Sequence, residues 1–180
     1  MAAILNLVPR DKVEIHRLAA QRGDAIPNNE RYPAIVLAGV LCGANDPAAI
    51  HGLFEKNGWG GGWTWEVFDY HHFHPDAFEA LAVAKGGASL MLGGPQGGTV
   101  EVKAGDVIIL PPGYGHRQVE KRDAFAVCGA YPRGQESYST ISESDGYDER
   151  VLETVRNVVP PETDPVYGLP YDELSQTPAS

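Results

Sequence analysis

Residues 70–86 read YHHFHPDAFEALAVAKG and hold three of the chain's six histidines within four positions, with a lone glutamate, Glu79, five residues further on. Alternate side chains of an extended strand share a face. His72 and His74 therefore point one way, and His71 and Phe73 the other. A turn at Pro75-Asp76 returns the chain antiparallel and lets Glu79 face the same interior. Two imidazoles and a carboxylate around one point suit a borderline divalent metal, as in facial-triad iron oxygenases with positions left open for water or substrate. The competing reading, a chance cluster of surface or core histidines, fits a lone histidine better than an H-x-H followed by a spaced glutamate. A second stretch, GDVIILPPGYGH at 105–116, reads as a strand, a Pro-Pro-Gly turn and an emerging His116. Gly113 in that turn is expected at positive φ.

The elements that must position these residues follow from period and punctuation. Residues 21–33 are turn-rich and lead into a short apolar strand at 34–41. Asp46 as N-cap, Pro47 at the first helical position, Ile50, Leu53 and Phe54 at helical spacing and Asn57-Gly58 as the stop predict a helix. From Trp63 to Tyr131 the period is two. The runs TWEVFDYHHFH, FEALAVAK, ASLMLGG, TVEVK, DVIILP and AFAVCGAY are separated by turns at Pro75-Asp76, Gly86-Gly87, Gly93–Gly98, Ala104–Asp106 and Pro111–Gly113. Such spacing predicts an all-β sandwich or barrel. A second helix is predicted in 147–159, with Val151, Leu152 and Val155 on one face. The proline-rich end, PPETDPVYGLPYDELSQTPAS, is expected to form no regular element and to be either disordered or an arm laid over a surface.

With these residues in view, the chain resembles the cupin family. His72, His74, Glu79 and Gly86 stand at the spacing of the first cupin motif (66–86), and Gly105, Pro111, Gly113 and His116 at that of the second (105–120). Glu66 replaces the first motif's initial glycine, and Glu120 the second's final asparagine. The resemblance implies a double-stranded β-helix, or jelly-roll, barrel over 34–145. An N-terminal arm and loop (1–33) would precede it, and a helix and proline-rich tail (146–180) would follow. It also implies one divalent ion per chain held by His72, His74, Glu79 and His116, with His71 a bystander. Fe(II) is favoured, while Mn, Ni, Co, Cu or Zn are compatible with the same donors. The stretches KNGW (56–59), VFDYHHFH (67–74) and GAYPRGQ (129–135) are similar to the uncharacterised, single-domain YjlB-like cupins. The commonest chemistry this implies is an oxygenase acting on a small enolic, diketone or phenolic molecule. The alternatives are a non-catalytic metal- or small-molecule-binding cupin, or an isomerase.

Strand parity supplies the neighbours. Phe68 and Tyr70 should point in with the histidines, Leu81 and Val83 with Glu79, Gln118 with His116, and Phe125 with Val127. Tyr70 and Gln118 are the catalytic candidates, because each places a hydrogen-bonding group near the metal. Trp59, Trp63 and Trp65 are expected on the outer face or packed on a helix, and Cys128 away from the cavity. His16 and His51 are expected to be structural or exposed. The six-residue GGPQGG loop lacks a following helix and is a weak phosphate cradle. Ala80, Ala82 and Ala84 form a flat apolar outer face, for which the expected cover is a second subunit, giving a homodimer. The alternative cover is the strand at 34–41.

Composition bounds the rest. A net charge of −10, with no Lys/Arg run beyond Lys121-Arg122, excludes a phosphate-backbone binder, so nucleic acid is not an expected partner. Hydrophobic residues at 43% in 180 residues suit one globular domain. Two distant cysteines form no CxxC, and no apolar run approaches a bilayer span. A cytoplasmic protein without membrane contact is expected.

Overall fold

Alternating apolar residues between glycine and proline turns should close into strands, and strands dominate the computed structural model, which describes residues 4–43 and 46–176. In chain order these are β1 (Leu5–Leu7), β2 (Glu14–Leu18), β3 (Ala34–Ala38), β4 (Leu41–Gly43), β5 (Trp59–Trp65), β6 (His72–Phe73), β7 (Glu79–Leu92), β8 (Gly98–Lys103), β9 (Val107–Leu110), β10 (His116–Pro132) and β11 (Ile141–Ser142). Three helices accompany them: α1 (Pro47–Lys56), α2 (Glu149–Asn157) and α3 (Tyr171–Ser175). One curled sheet runs β11-β6-β10-β7-β9-β3-β2, with β5 on β10 and β8 on β7, while β1 and β4 pair separately. The pairings are antiparallel. This is the jelly-roll, double-stranded β-helix architecture.

Period-two alternation divides the core into two layers. Leu81, Val83, Leu90, Ile108, Phe125 and Val127 fill the inside of the curl. Ala80, Ala82, Ile109, Cys128 and Ala130 face outward and are buried with Ile50 and Phe54 of α1 and with Tyr171 and Leu174 of α3. The alanine face is thus covered within the chain; of the expected strand at 34–41, β3 ends at Ala38 and lies in the same sheet beside β9, while Val40 and Leu41 leave that sheet and pack in the same layer as Ala80 and Ala82. The face expected to seat a second copy is already occupied at Ala80 and Ala82. Small side chains on β7 let α1 and the tail approach closely, and each fully buried Ile or Phe contributes about 1.5–3 kcal/mol.

Helix α1 begins at Pro47 as expected, although the Asp46 side chain makes no capping hydrogen bond. Its far end is tied to the tail: Asn57 Nδ2 donates to the carbonyls of Pro165 and Val166, both at 2.9 Å. Helix α2 is capped by Asp148, which accepts from Val151 N, and buries Leu152 and Val155.

Four expectations need correction. Gly86-Gly87 is not a turn, because β7 runs unbroken through it. Gly86 has φ +66°, and a Cβ there would strike the carbonyl oxygens of Arg122 and Asp123, where β10 bulges across from it. The glycine serves close approach of two backbones rather than chain reversal. TWEVFDYHHFH is not one strand: β5 ends at Trp65, and pairing resumes only at His72. The stretch before Ala34 contributes β1 and β2. The proline-rich tail forms α3 and a bridge between Thr163 and Pro170. Asp164 nucleates that tail structure by accepting from the N–H groups of Val166, Tyr167 and Leu169.

Ala82→Glu tests this arrangement, since it drives a carboxylate into the layer between sheet, α1 and tail. A buried unpaired charge costs several kcal/mol. The variant is expected to lose its cooperative thermal transition; a folded protein melting with the wild type would show that the face is not internally covered.

Candidate metal centre

Three strand ends converge to make the site. β6 carries His72, with His74 just beyond it; β7 opens on Glu79; β10 opens on His116, which pairs in register with His72. The two motifs are locked together by Gly113 N, which donates to the His74 carbonyl at 2.8 Å. Gly113 has φ +80°, as expected, and a Cβ there would lie 2.6 Å from Asn28 O. The loop at 21–33 therefore does more than lead into β3. Asn28 Oδ1 accepts from Gly115 N and its Nδ2 donates to Gly93 O, while Asn29 Nδ2 donates to Pro112 O. The sequence reading missed both asparagines; the turn-rich NN pair was the available signal.

Each histidine is oriented by a backbone carbonyl. His72 Nδ1 faces Tyr70 O at 3.0 Å, His74 Nδ1 faces Ser139 O at 2.9 Å and His116 Nδ1 faces Tyr114 O at 3.1 Å. A carbonyl only accepts, so each Nδ1 carries the hydrogen and each Nε2 offers a lone pair. The ligating nitrogens of the three rings lie within 4.8 Å of one another. Glu79 Oε2 sits 3.3 Å from His74 Nε2 and 3.1 Å from His116 Nε2, yet has no aligned hydrogen-bond donor. Its other oxygen accepts from Tyr131 Oη at 3.0 Å. All four side chains are at least 94% buried.

This geometry fits a divalent ion. A buried carboxylate oxygen beside imidazole lone pairs is repulsive unless a cation lies among them, and carbonyl-anchored Nδ1 groups are the usual support of ligating histidines. Without the ion a proton is the substitute. Burial opposes charge on His74, but the Glu79 carboxylate beside it prevails and raises its pKa. Burial likewise resists charge on Glu79, and His74 and His116 outweigh it, holding the carboxyl well below its usual range. His72 is pushed down to about 2 by burial and by His116.

The three histidines expected as ligands come together, Glu79 lies against two of them, His74 and His116, and the other expectations divide. His71 is buried on the opposite side of its strand, its Nδ1 without a partner. Phe68 and Leu81 line the cavity as expected, and Val83 lies deeper in the core. Tyr70 and Gln118 do not line it. Tyr70 stacks on the outer side of Phe68 at 4.9 Å and is 43% exposed, and Gln118 Nε2 points to Glu66. Trp59 and Cys128 are buried in the outer layer, His51 faces Thr64 Oγ1, and His16 is exposed beside Glu14. Trp63 and Trp65 depart from expectation, since both line the cavity. Two residues apart on β5, they share a face, and Gly129, which pairs with Trp63, has no side chain to oppose its indole. Tyr131 and Tyr138, stacked at 4.0 Å, complete the wall. Parity carried on from Phe125 and Val127 would have pointed Tyr131 inward; Tyr138 lies outside any strand and gave no signal.

The cavity has a volume of about 170 Å³, with the ligands at its base and Trp63, Trp65, Val67, Phe68, Leu81 and the two tyrosines as walls. Glu66, at the glycine position of the first motif, stands at its edge and pairs with Lys121 at 2.5 Å. No Lys or Arg lines the cavity among the described residues.

The chain is similar to several known proteins. Residues 64–126 match the family model described as Cupin domain. Over 143 residues, covering 79% of this chain and 84% of the relative, the sequence is 29% identical to the uncharacterized protein YjlB of Bacillus subtilis. Among solved structures, an acireductone dioxygenase from Bacillus anthracis, with cadmium in its active centre, aligns at 19% identity and a TM-score of 0.35. That alignment covers 47% of this chain and 57% of that one. An uncharacterized conserved protein with a double-stranded β-helix domain from Klebsiella pneumoniae aligns at 17% identity and a TM-score of 0.34, over 74% of this chain and 89% of that one.

Two outcomes test the site. His74→Ala and His116→Ala are each expected to lose the bound ion by elemental analysis; full occupancy in both would refute the ligand set. In the metal-free protein, His72 is held neutral at a folded pKa of about 2, while its unfolded pKa is about 6.5. Its contribution to stability is present above the unfolded value and is lost as pH falls, by up to about 1.4 kcal/mol per unit. Between pH 6 and 5, metal-free His72→Gln is expected to lose stability less steeply than wild type in urea titrations. Parallel slopes would contradict the assignment.

Proposed function

We propose that this chain, a cupin similar over most of its length to YjlB, is a metal-dependent oxygenase-type enzyme acting on a small enolic, diketone or phenolic molecule. The observation that carries this reading is the convergence of three imidazole nitrogens and one carboxylate oxygen at the base of a small aromatic cavity. Four protein donors leave up to two positions on a six-coordinate ion, enough for a substrate oxygen and dioxygen. A bound divalent ion supplies Lewis acidity there and, as Fe(II), redox capacity as well. Mn, Ni, Co, Cu or Zn would be accepted by the same donors.

The chain's own residues select the substrate. At about 170 Å³ the space is well below the roughly 300–1,000 Å³ of drug-sized sites, so the ligand is small. Flat walls from Trp63, Phe68 and the Tyr131–Tyr138 stack favour a planar molecule. With no Lys or Arg among the described lining residues, a multiply charged anion would go uncompensated; an enol or phenol that loses one proton at the base would not. Leu81 and Val67 keep water from the inner end, and Thr140 and Tyr138 offer hydroxyls beside it.

The test is dioxygen uptake by Fe(II)-loaded protein across a panel of 1,3-diketones, catechols and hydroxybenzoates. Uptake with at least one compound is expected, together with its loss in Leu81→Trp at unchanged iron content. Saturable binding of such compounds without dioxygen consumption would replace the enzyme with a non-catalytic binding module.

A further inference from the structure

The Glu79 carboxylate has two unlike oxygens. Oε2 faces the histidines, whereas Oε1 accepts from the Tyr131 hydroxyl at 3.0 Å, and that hydroxyl in turn accepts from Trp63 Nε1 at 2.8 Å. The order of donors is fixed: an indole N–H can only donate, so the phenol uses its lone pair on Trp63 and its hydrogen on Glu79. Trp63 reaches Tyr131 because Gly129, opposite it on β10, has no Cβ to collide with the indole. A glycine within a long strand weakens that strand unless something must pass close to it, and here the passing group is the ring that completes the chain of donors. Tyr131 is further held by its stack on Tyr138 at 4.0 Å, and only 1% of it is exposed.

We infer that Tyr131, aimed by Trp63 over Gly129, is a positioning residue that engages Glu79 Oε1 and so presents Oε2 alone to the ion. This rests on the metal reading above and deepens it. A carboxylate free to swing could bind through both oxygens and would take a position that substrate or dioxygen requires. Binding through both oxygens would require the oxygen tied to the fixed phenol to give up or bend its hydrogen bond, which disfavours that swing. The alternative, that the two rings merely fill space and satisfy a buried charge, predicts no effect on how the ion is held.

The experiment loads wild type, Tyr131→Phe, Trp63→Phe and Gly129→Ala with Co(II), and measures affinity by chelator competition and the visible absorption of the bound ion. Tyr131→Phe keeps the ring and its stacking and is expected to fold as wild type by circular dichroism. Its Co(II) affinity should fall about 10–100-fold, as is usual when a ligand's hydrogen-bond partner is removed, and its absorption spectrum should change. Trp63→Phe should shift the spectrum in the same direction by less, and Gly129→Ala should do so by displacing the indole. Wild type that binds Co(II), with a Tyr131→Phe variant identical in affinity and spectrum, overturns the clamp and leaves the metal site standing. Wild type that binds no Co(II) overturns the metal reading and the clamp together.

Discussion

A carboxylate buried inside an apolar barrel is the constraint on which the remainder of this structure depends. Removing a charge from water costs several kcal/mol unless every lone pair finds a partner. Glu79 is 3% exposed and sits where strands β6, β7 and β10 meet. One of its oxygens is met by Tyr131, the other by two imidazoles whose nearest atoms carry lone pairs rather than hydrogens. Charge balance at that point calls for a cation, and the surroundings are arranged to hold one.

The arrangement draws on segments far apart in the chain. Carbonyls of residues 70, 114 and 139 fix the tautomers of the three histidines. Residue 113 couples the two motifs through the His74 carbonyl, and residue 28 braces the turn from outside. Because those partners are backbone groups in regular or tightly turned structure, the nitrogens are oriented before any ion arrives. Such preorganisation lowers the ordering cost of binding and disfavours ions that demand a different donor geometry. On the opposite side of the sheet, Ala80 and Ala82 admit α1 and the tail at close range, so the strand bearing Glu79 is packed on both faces.

The cluster of candidate ligands was legible in the sequence because a strand's period of two is rigid: H-x-H must share a face, and a glutamate after a tight turn can return to it. Gly113 was legible for the same kind of reason, since a turn after two prolines leaves few conformations open. What escaped reading depended on partners distant in sequence. Trp63 shares its inward face with Gly129, whose missing side chain makes room for the indole, and that cross-strand register is not reported by any local pattern. Gly86 looked like a turn but serves a bulge in β10. Prolines in the tail predict irregular chain, yet one buried aspartate, Asp164, gathers three backbone N–H groups and orders it. The outer alanines were rightly read as a surface needing cover; which segment covers them was a question of topology.

An ion is predicted to complete the cluster around Glu79. Crystals of protein purified without an affinity tag, with diffraction recorded on either side of the absorption edges of iron, manganese, cobalt, nickel, copper and zinc, test it most directly. The account predicts one anomalous peak per chain, lying among the Nε2 atoms of His72, His74 and His116 and Glu79 Oε2. A metal-replete protein whose only anomalous peak lies elsewhere, with these four side chains unchanged, would contradict it.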